Sequence, residues 1–361
     1  MEKEPKIQAK TLEHFAAAKF IKEIGRGKNG ARSLSAVDAQ ALYGAMLDGR
    51  VSDLEMGGIL LAMRIKGESV DEIAGFMAAA EERMSKIAAP ANSLYAPVLI
   101  PSYNGARKKA NLTPLLALLL AQRGVPVLVH GVMHDAGRVT TAEIFTALEI
   151  KFAQSATEAE THLHDRQLSF ISIDTLAPKM ARILAMRRIL GVRNSTHTLV
   201  KILQPFSSAA LRLTSYTHPE YLLMLRDYLS GVAVERGDTF LMRGTEGETV
   251  ISTARAQQID WFHAGECRTL SEKQDRTESE LPEVPESLDA VTTAVWIKRV
   301  LNGEISVPVN ISRQVEHCVE VARLLKNNSI SKSIVSLWPS PCRATALSAA
   351  RRLDTIDLEM E

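Results

Sequence analysis

Three consecutive cations, Arg107, Lys108 and Lys109, follow Gly105, the one glycine of its loop, in the stretch "LIPSYNGARKKANLTPLLALLLAQRGVPVLVHG". The stretch reads as a short apolar strand ending near Pro101, a polar loop, a helix opening near Asn111-Leu112-Thr113-Pro114, and a second strand. A loop that precedes a helix N-terminus is suited to anions, because free N–H groups and the helix dipole point into it. Phosphate loops use several glycines so that backbone can approach the anion. This loop has one glycine and places side-chain cations where such backbone would lie.

Other residues could do chemistry. Glu246 and Glu248 flank Gly247 in "RGTEGET". In an extended chain they would point to one side and could hold magnesium. The composition is turn-like, which favours a structural role. His162, His164 and Asp165 cluster in "THLHDR", but the two histidines lack the i, i+4 spacing of a helical metal pair. His130, next to Gly131, ends a strand and could face a cleft, or could be a satisfied structural histidine. Trp261 in "IDWFHAG" offers a ring for base stacking, although burial on an edge strand fits its context better. Cys267, Cys318 and Cys342 are few and widely spaced. They show no zinc pattern, suit a reducing cytosol and read as small buried hydrophobes.

The charge pattern is more informative than any of these. The formal net charge is only +1, so any electrostatic argument must be local. Residues 179–212 hold seven cations, Lys179, Arg182, Arg187, Arg188, Arg193, Lys201 and Arg212, and no acid. "GRGKNGARS" adds Arg26, Lys28 and Arg32, and residues 271–289 hold seven acids against Lys273 and Arg276. Such segregation suggests a basic face. A diphosphate needs a cupped backbone, usually with a metal, whereas a polymer of phosphates needs cations spread along a track, each contact releasing counterions. The arginine fork reaches two phosphate oxygens at once. Ordinary solvation of a basic helix face is the competing explanation. Arg187 and Arg188 are adjacent, so they cannot both face one way.

The elements that position these residues follow from the apolar spacing. Residues 35–90 read as three helices capped by Ser35, Ser52 and Ser69, with glycines stopping two of them. Their apolar stripes suit a core or a subunit interface. From Pro97 short apolar runs alternate with helical patterns: "PVLI", "VPVLVHG", "TTAEIFTALEI", "LSFISID", "PKMARILAMRRILG" and "DTFLMRG". This predicts an α/β domain with a mostly parallel central sheet. We expect a small N-terminal helical domain over 1–95, which a later helical segment can join, and a larger α/β domain over 96–361. Residues 271–289 read as an exposed connection. "VTTAVWIKRVLNG", "RQVEHCVEVARLLKN" and "SPCRATALSAARRL" read as closing helices. The chain is 46% hydrophobic, ample for a core. Its first residues lack an apolar signal region, and its most apolar run, Leu115–Ala121, is too short to span a bilayer. The expectation is a cytoplasmic protein without membrane contact.

Several phrases resemble the anthranilate phosphoribosyltransferase family, glycosyltransferase family 3. "LSAVDAQALYGAMLDGRVSDLEMGGILLAMRIKGESVDEIAGF" is similar to its helical domain. "VHGVMHDAGRVTTAEIFTALEI" resembles its second substrate loop, and "LAPKMARILAMRRILGVRNSTHTLVKILQPF" its segment leading from the substrate cleft. The resemblance spans roughly residues 20–265. It implies a nucleoside-phosphorylase-like, class III phosphoribosyltransferase fold. It also implies remnants of a substrate site at Gly105, Asn111, Thr113, His130, Gly131 and Arg187, the last matching the arginine that grips the anthranilate carboxylate. The departures are substantial. The glycine-rich diphosphate loop is reduced to "SYNGA", Pro114 replaces a hydroxyl, "VHGVM" lacks the family's cations and asparagine, and the adjacent magnesium-holding aspartate–glutamate pair has no clear match. "GRGKNGARSLS" and these losses resemble the divergent YbiB-type branch. That resemblance implies sequence-independent DNA or RNA binding by a homodimer.

Two functions follow as expectations. The first is nucleic-acid binding by Arg26, Lys28, Arg32, Arg107, Lys108, Lys109, Lys179, Arg182, Arg187, Arg188, Arg193 and Lys201, with no catalytic residue, no cofactor and no base-reading module. The second is a phosphoribosyltransferase with a changed acceptor, not anthranilate, which alone would call for magnesium. A scaffold that offers a basic face to an acidic protein is a third possibility.

Overall fold

The computed structural model describes residues 13–27, 29–274 and 283–327. The chain divides into two compact units. One holds the described residues through Arg83 together with Lys179–Leu199; the other holds Met84–Pro178 and the described residues from Val200 onward. The later helical segment therefore packs with the N-terminal helices.

The helical unit opens with α1 (Ala18–Ile24), α2 (Ala36–Leu47), α3 (Asp53–Lys66) and α4 (Val70–Glu81). Ser35, Ser52 and Ser69 each sit in extended backbone and accept an N–H from the first turn of α2, α3 and α4. Glu55 and Glu72 complete capping boxes at the last two. These satisfy donors that a helix start leaves without partners. Gly75 lets α2 and α4 meet closely: a Cβ there would lie 2.2 Å from the Ala36 carbonyl oxygen. Helices Pro178–Ala185 and Arg187–Leu190 and the turn Thr196–Leu199 follow later in the chain. Tyr43 on α2 is buried and its hydroxyl lies 2.9 Å from Thr196 Oγ1.

The α/β unit is a seven-stranded sheet in the order β3-β2-β1-β4-β5-β6-β7. The strands are β1 (Val98–Ser102), β2 (Val127–Gly131), β3 (Leu168–Ser172), β4 (Leu211–Tyr216), β5 (Thr239–Arg243), β6 (Ile259–His263) and β7 (Glu266–Ser271). The first five strands in sheet order pair in parallel, and β6 and β7 add antiparallel pairs at one edge. The order reverses direction at β1, which lies between β2 and β4. The crevice outside the carboxyl end of such a strand is where open α/β sheets place ligands. α5 (Thr113–Gln122) and α6 (Thr141–Ala147) lie on this sheet with Ala290–Leu301 and Val309–Asn327. The core joins Val98, Ile100, Leu116, Val129, Phe145, Phe170, Leu213, Phe240 and Trp296.

Three expectations need correction. Trp261 is buried, but β6 is not an edge strand, because β7 covers it; the indole N–H donates to Asp238 Oδ2 at 2.6 Å. Arg212 does not belong to a basic face. It is the second residue of β4, is 1% exposed and donates to the carbonyls of Ile202 and Gly237. The connection read at 271–289 begins inside β7, whose last residue is Ser271, and ends at Asp289, the cap of Ala290–Leu301. Residues 275–282, Lys28, Cys342 and "SPCRATALSAARRL" lie outside the described residues.

Glu72 is the most demanding buried group of the helical unit. It is 0% exposed and accepts from Lys66 Nζ at 2.6 Å, from Leu34 N at 2.9 Å and from Ser69 N at 2.8 Å. Removing one partner of a buried pair strands the other charge, at a cost of about 3–5 kcal/mol. We expect Glu72→Ala to lower stability to urea by about 3 kcal/mol, read by circular dichroism. A loss below about 1 kcal/mol would show that the pair is solvated.

Candidate functional site

The loop between β1 and α5 is an anion cradle whose anions come from the protein itself. Ser102–Ala106 are buried, while Arg107, Lys108 and Lys109 are exposed. The N–H groups of Asn104 and Gly105 both donate to Glu248 Oε1, at 2.8 and 2.7 Å. Thr113 Oγ1, at the start of α5, reaches Glu248 Oε2 at 3.4 Å. The next two free N–H groups, of Arg107 and Lys108, donate to Glu246 Oε2 and Oε1 at 3.1 and 2.8 Å. Backbone N–H groups converging in this way form a nest for negative charge.

Both carboxylates stand on a tight turn after β5. Thr245 and Glu248 bridge each other, and Glu246 and Gly247 have φ of 53° and 92°. Two successive left-handed residues suit glycine at the second place. Close approach also requires glycine there, since a Cβ on Gly247 would lie 2.1 Å from Asn104 Nδ2. The Gly247 carbonyl accepts from Asn104 Nδ2 at 2.7 Å, Ser215 Oγ at 2.7 Å and Lys201 Nζ at 3.1 Å. Arg138 Nη1 lies 3.6 Å from Glu246 Oε2 and donates to the Gly105 carbonyl at 3.2 Å. Glu248 is 1% exposed.

Most of the expected substrate-site remnants lie inside this unit as buried structure. Asn111 donates to the Val139 carbonyl at 3.3 Å and to Thr141 Oγ1 at 3.1 Å, and its Oδ1 accepts from Thr113 N at 3.1 Å. Gly131 lies opposite Ser102 in the β1–β2 register and is buried. His130 is 0% exposed; its Nδ1 is 2.6 Å from the Tyr103 hydroxyl, and its ring stands edge-on to that of Tyr103. Burial pushes the His130 pKa down to about 3. Burial also raises that of Tyr103, with Asp174 and Glu248 adding to the rise.

The cations expected to form one track fall into separate settings. Lys109 Nζ reaches Ser252 Oγ at 3.4 Å, and Lys201 belongs with the Glu246–Glu248 turn. In the helical unit Lys179 pairs with Asp48 at 2.7 Å, and Asp48 also takes Arg83 at 2.8 Å. Hydrogen bonds from Arg83, then Lys179, hold the Asp48 carboxyl well below the usual carboxylate range. Arg182 caps the end of α2 by donating to the carbonyls of Met46 at 2.6 Å and Leu47 at 3.2 Å, where a cation meets the negative helix end. Arg187 and Arg193 are half-buried and Arg188 is exposed. Arg26 pairs with Glu23 at 2.6 Å, and Arg32 lies 3.8 Å from the same carboxylate.

Sequence reasoning missed Arg138 and did not foresee that Glu246 and Glu248 would fill the loop. The available signal was the pair of acids flanking a glycine in a turn-like phrase. His162 is buried with Glu158 at 3.6 Å, and exposed His164 contacts Asp165 at 2.8 Å. Among the described residues no group of three His, Cys, Asp or Glu side chains could hold a metal. Cys318 is fully buried, its thiol pKa raised by that burial, and Cys267 is partly buried. No described helix is long and apolar enough to cross a membrane.

A helical bundle followed by a mostly parallel sheet is the fold of anthranilate phosphoribosyltransferase structures. Residues 18–84 match the helical bundle domain of the glycosyl transferase family. The structure of anthranilate phosphoribosyltransferase from Thermus thermophilus aligns with a TM-score of 0.64 at 21% identity, over 86% of this chain and 89% of that one. The Saccharomyces cerevisiae enzyme in complex with PRPP and Mg gives a TM-score of 0.64 at 15% identity, over 86% and 88%. At these identities the likeness speaks for the fold. Anthranilate phosphoribosyltransferase from Novosphingobium aromaticivorans is 27% identical over 236 residues, 64% of this chain and 69% of the relative. The uncharacterized protein YbiB of Escherichia coli (strain K12) is 45% identical over 302 residues, 83% of this chain and 92% of the relative. The chain belongs with YbiB, and its fold is that of anthranilate phosphoribosyltransferase, with the helical bundle domain of the glycosyl transferase family.

His130 provides a pH test of the cradle's interior. A buried imidazole that stays neutral down to about pH 3 refuses a proton that the unfolded chain accepts near 6.5. Its contribution to stability is present above about pH 6.5 and is lost as pH falls toward 3. Between about pH 6 and 4 the native chain should lose about 1.4 kcal/mol per pH unit more than His130→Gln, which keeps a partner for Tyr103. Urea titrations of both proteins across this window check it; equal slopes would mean that His130 takes up a proton in the folded state.

Proposed function

We propose that the chain binds nucleic acid, DNA or RNA, through the phosphate backbone and without sequence preference. One observation carries this reading: the loop after β1 has been turned inside out as an anion binder. Its backbone donors at Asn104, Gly105, Arg107 and Lys108 are taken by Glu248 and Glu246, while Arg107, Lys108 and Lys109 are exposed, Lys109 also reaching Ser252. A backbone cradle serves one compact diphosphate, whereas exposed long cations serve a chain of phosphates. The helical unit carries Arg182, Arg187, Arg188 and Arg193 in a stretch that contains no acid. In that stretch the charge of Lys179 is offset by Asp48.

The described residues contain no base-reading module, so backbone contacts alone would set affinity. A second copy of the chain is proposed as partner, because α3 leaves Leu54, Leu61 and Ile65 exposed at 88%, 41% and 73% along one face. The alternative, a phosphoribosyltransferase with a changed acceptor, draws little support. The Glu246–Glu248 pair beside the loop does not fit magnesium, since its oxygens face N–H donors, the Thr113 hydroxyl and Arg138.

Fluorescence anisotropy with random-sequence single- and double-stranded oligonucleotides at two salt concentrations tests this. Affinity should fall steeply with salt, and the Arg107→Ala, Lys108→Ala pair should lower the slope of log K against log salt by about 2. Binding that ignores salt, or no binding at low salt, would refute it.

A further inference from the structure

We infer that Glu246 and Glu248 act as a built-in anion that closes the loop after β1 to free diphosphates, which makes them specificity-determining residues. This rests on the nucleic-acid reading and explains how such a surface would avoid capture by small phosphate compounds. Each carboxylate takes two backbone N–H groups, as an oxyanion in a nest does. A cation stands against each part of the turn, Arg138 beside Glu246 and Lys201 on the Gly247 carbonyl. The Thr113 hydroxyl at the start of α5 turns toward the same carboxylate as Asn104 and Gly105. The turn reaches this depth only because residue 247 lacks a Cβ. A phosphate entering the loop would meet two negative charges already seated on its donors. The arrangement therefore rejects small anions by occupancy as well as by repulsion.

The converse follows. Truncating both carboxylates leaves four N–H donors, a hydroxyl, Arg138 and Lys201 around a volume vacated by two oxyanions. Inorganic pyrophosphate is the probe of matching charge and size. Calorimetry and thermal unfolding of the full chain with sodium pyrophosphate, without divalent metal, should show no binding by the native protein. The E246A/E248A variant should bind about ten-fold or more tightly than native and gain thermal stability from the ligand. Should the double variant not fold, E246A carries the test, since it uncovers the N–H groups of Arg107 and Lys108 at the exposed rim and the neighbouring Arg138; it should bind pyrophosphate above native level. Native protein that binds pyrophosphate as tightly as the variants, or folded variants that gain nothing, overturns the inference. Anisotropy with single-stranded DNA on the same samples separates the two claims: a pyrophosphate gain in a chain that never binds DNA would leave the closed loop standing and remove the nucleic-acid reading.

Discussion

One oxygen of Glu248 accepts the backbone N–H groups of both Asn104 and Gly105, and the crevice of the α/β unit is arranged around that contact. An ionised side chain that is 1% exposed is expensive to bury unless its hydrogen-bonding capacity is met. Here it is met mostly by backbone dipoles. The consequence is structural economy: the loop after β1, the first turn of α5 and the turn after β5 are tied to one carboxylate. Ser215 on β4 and Lys201 hold the neighbouring Gly247 carbonyl, so the sheet's central strands and the crevice loops share one polar network. A cooperative network of this kind fixes loop geometry more firmly than apolar contact would, because each unmade bond leaves a buried group stranded.

The helical unit solves the same problem differently. Glu72 is also fully buried and also accepts backbone N–H groups from two segments, but a lysine sits directly on it. Its role ends at the ion pair. Around Glu248 the partners are the N–H groups of Asn104 and Gly105 and the Thr113 hydroxyl, with Arg138 beside Glu246 and Lys201 on the turn carbonyl. One carboxylate is thus held by a lysine and two backbone segments, the other mainly by the backbone of the loop after β1.

Much of the fold was legible in the chain. Serines at 35, 52 and 69 announce helix starts because their side chains satisfy orphan donors, and each does so. Short apolar runs separated by helical periods announce parallel strands, and β1, β2, β3 and β5 fall where those runs lie. β4 was hidden by Arg212, which looked like surface charge and is instead a buried side chain bonded to two carbonyls. β7 was hidden because an edge strand needs no apolar run; none of its residues is buried. The anion loop was visible from local chemistry, but its partner was not, since Glu248 meets Asn104 across 144 positions of sequence. Periodicity carries no information at that range. For the same reason Lys201 read as one with the basic helices when it belongs to the turn.

The consecutive cations that first drew notice are a consequence of the filled cradle. A phosphate loop is restricted to glycine wherever a Cβ would hold the anion away from the backbone. Once the anion is an internal carboxylate entering from the turn side, the outward side chains no longer compete with it for space. Positions 107 to 109 can then carry long residues. Charge follows the same logic. The two glutamates have Arg138 and Lys201 close by, so the three cations of the loop are not consumed by the anions their own backbone binds. These residues are exposed, and in the proposed function they meet the phosphates of a polymer with release of counterions. The internal carboxylates on the loop's backbone and the long cations on its outer side are thus two aspects of one arrangement.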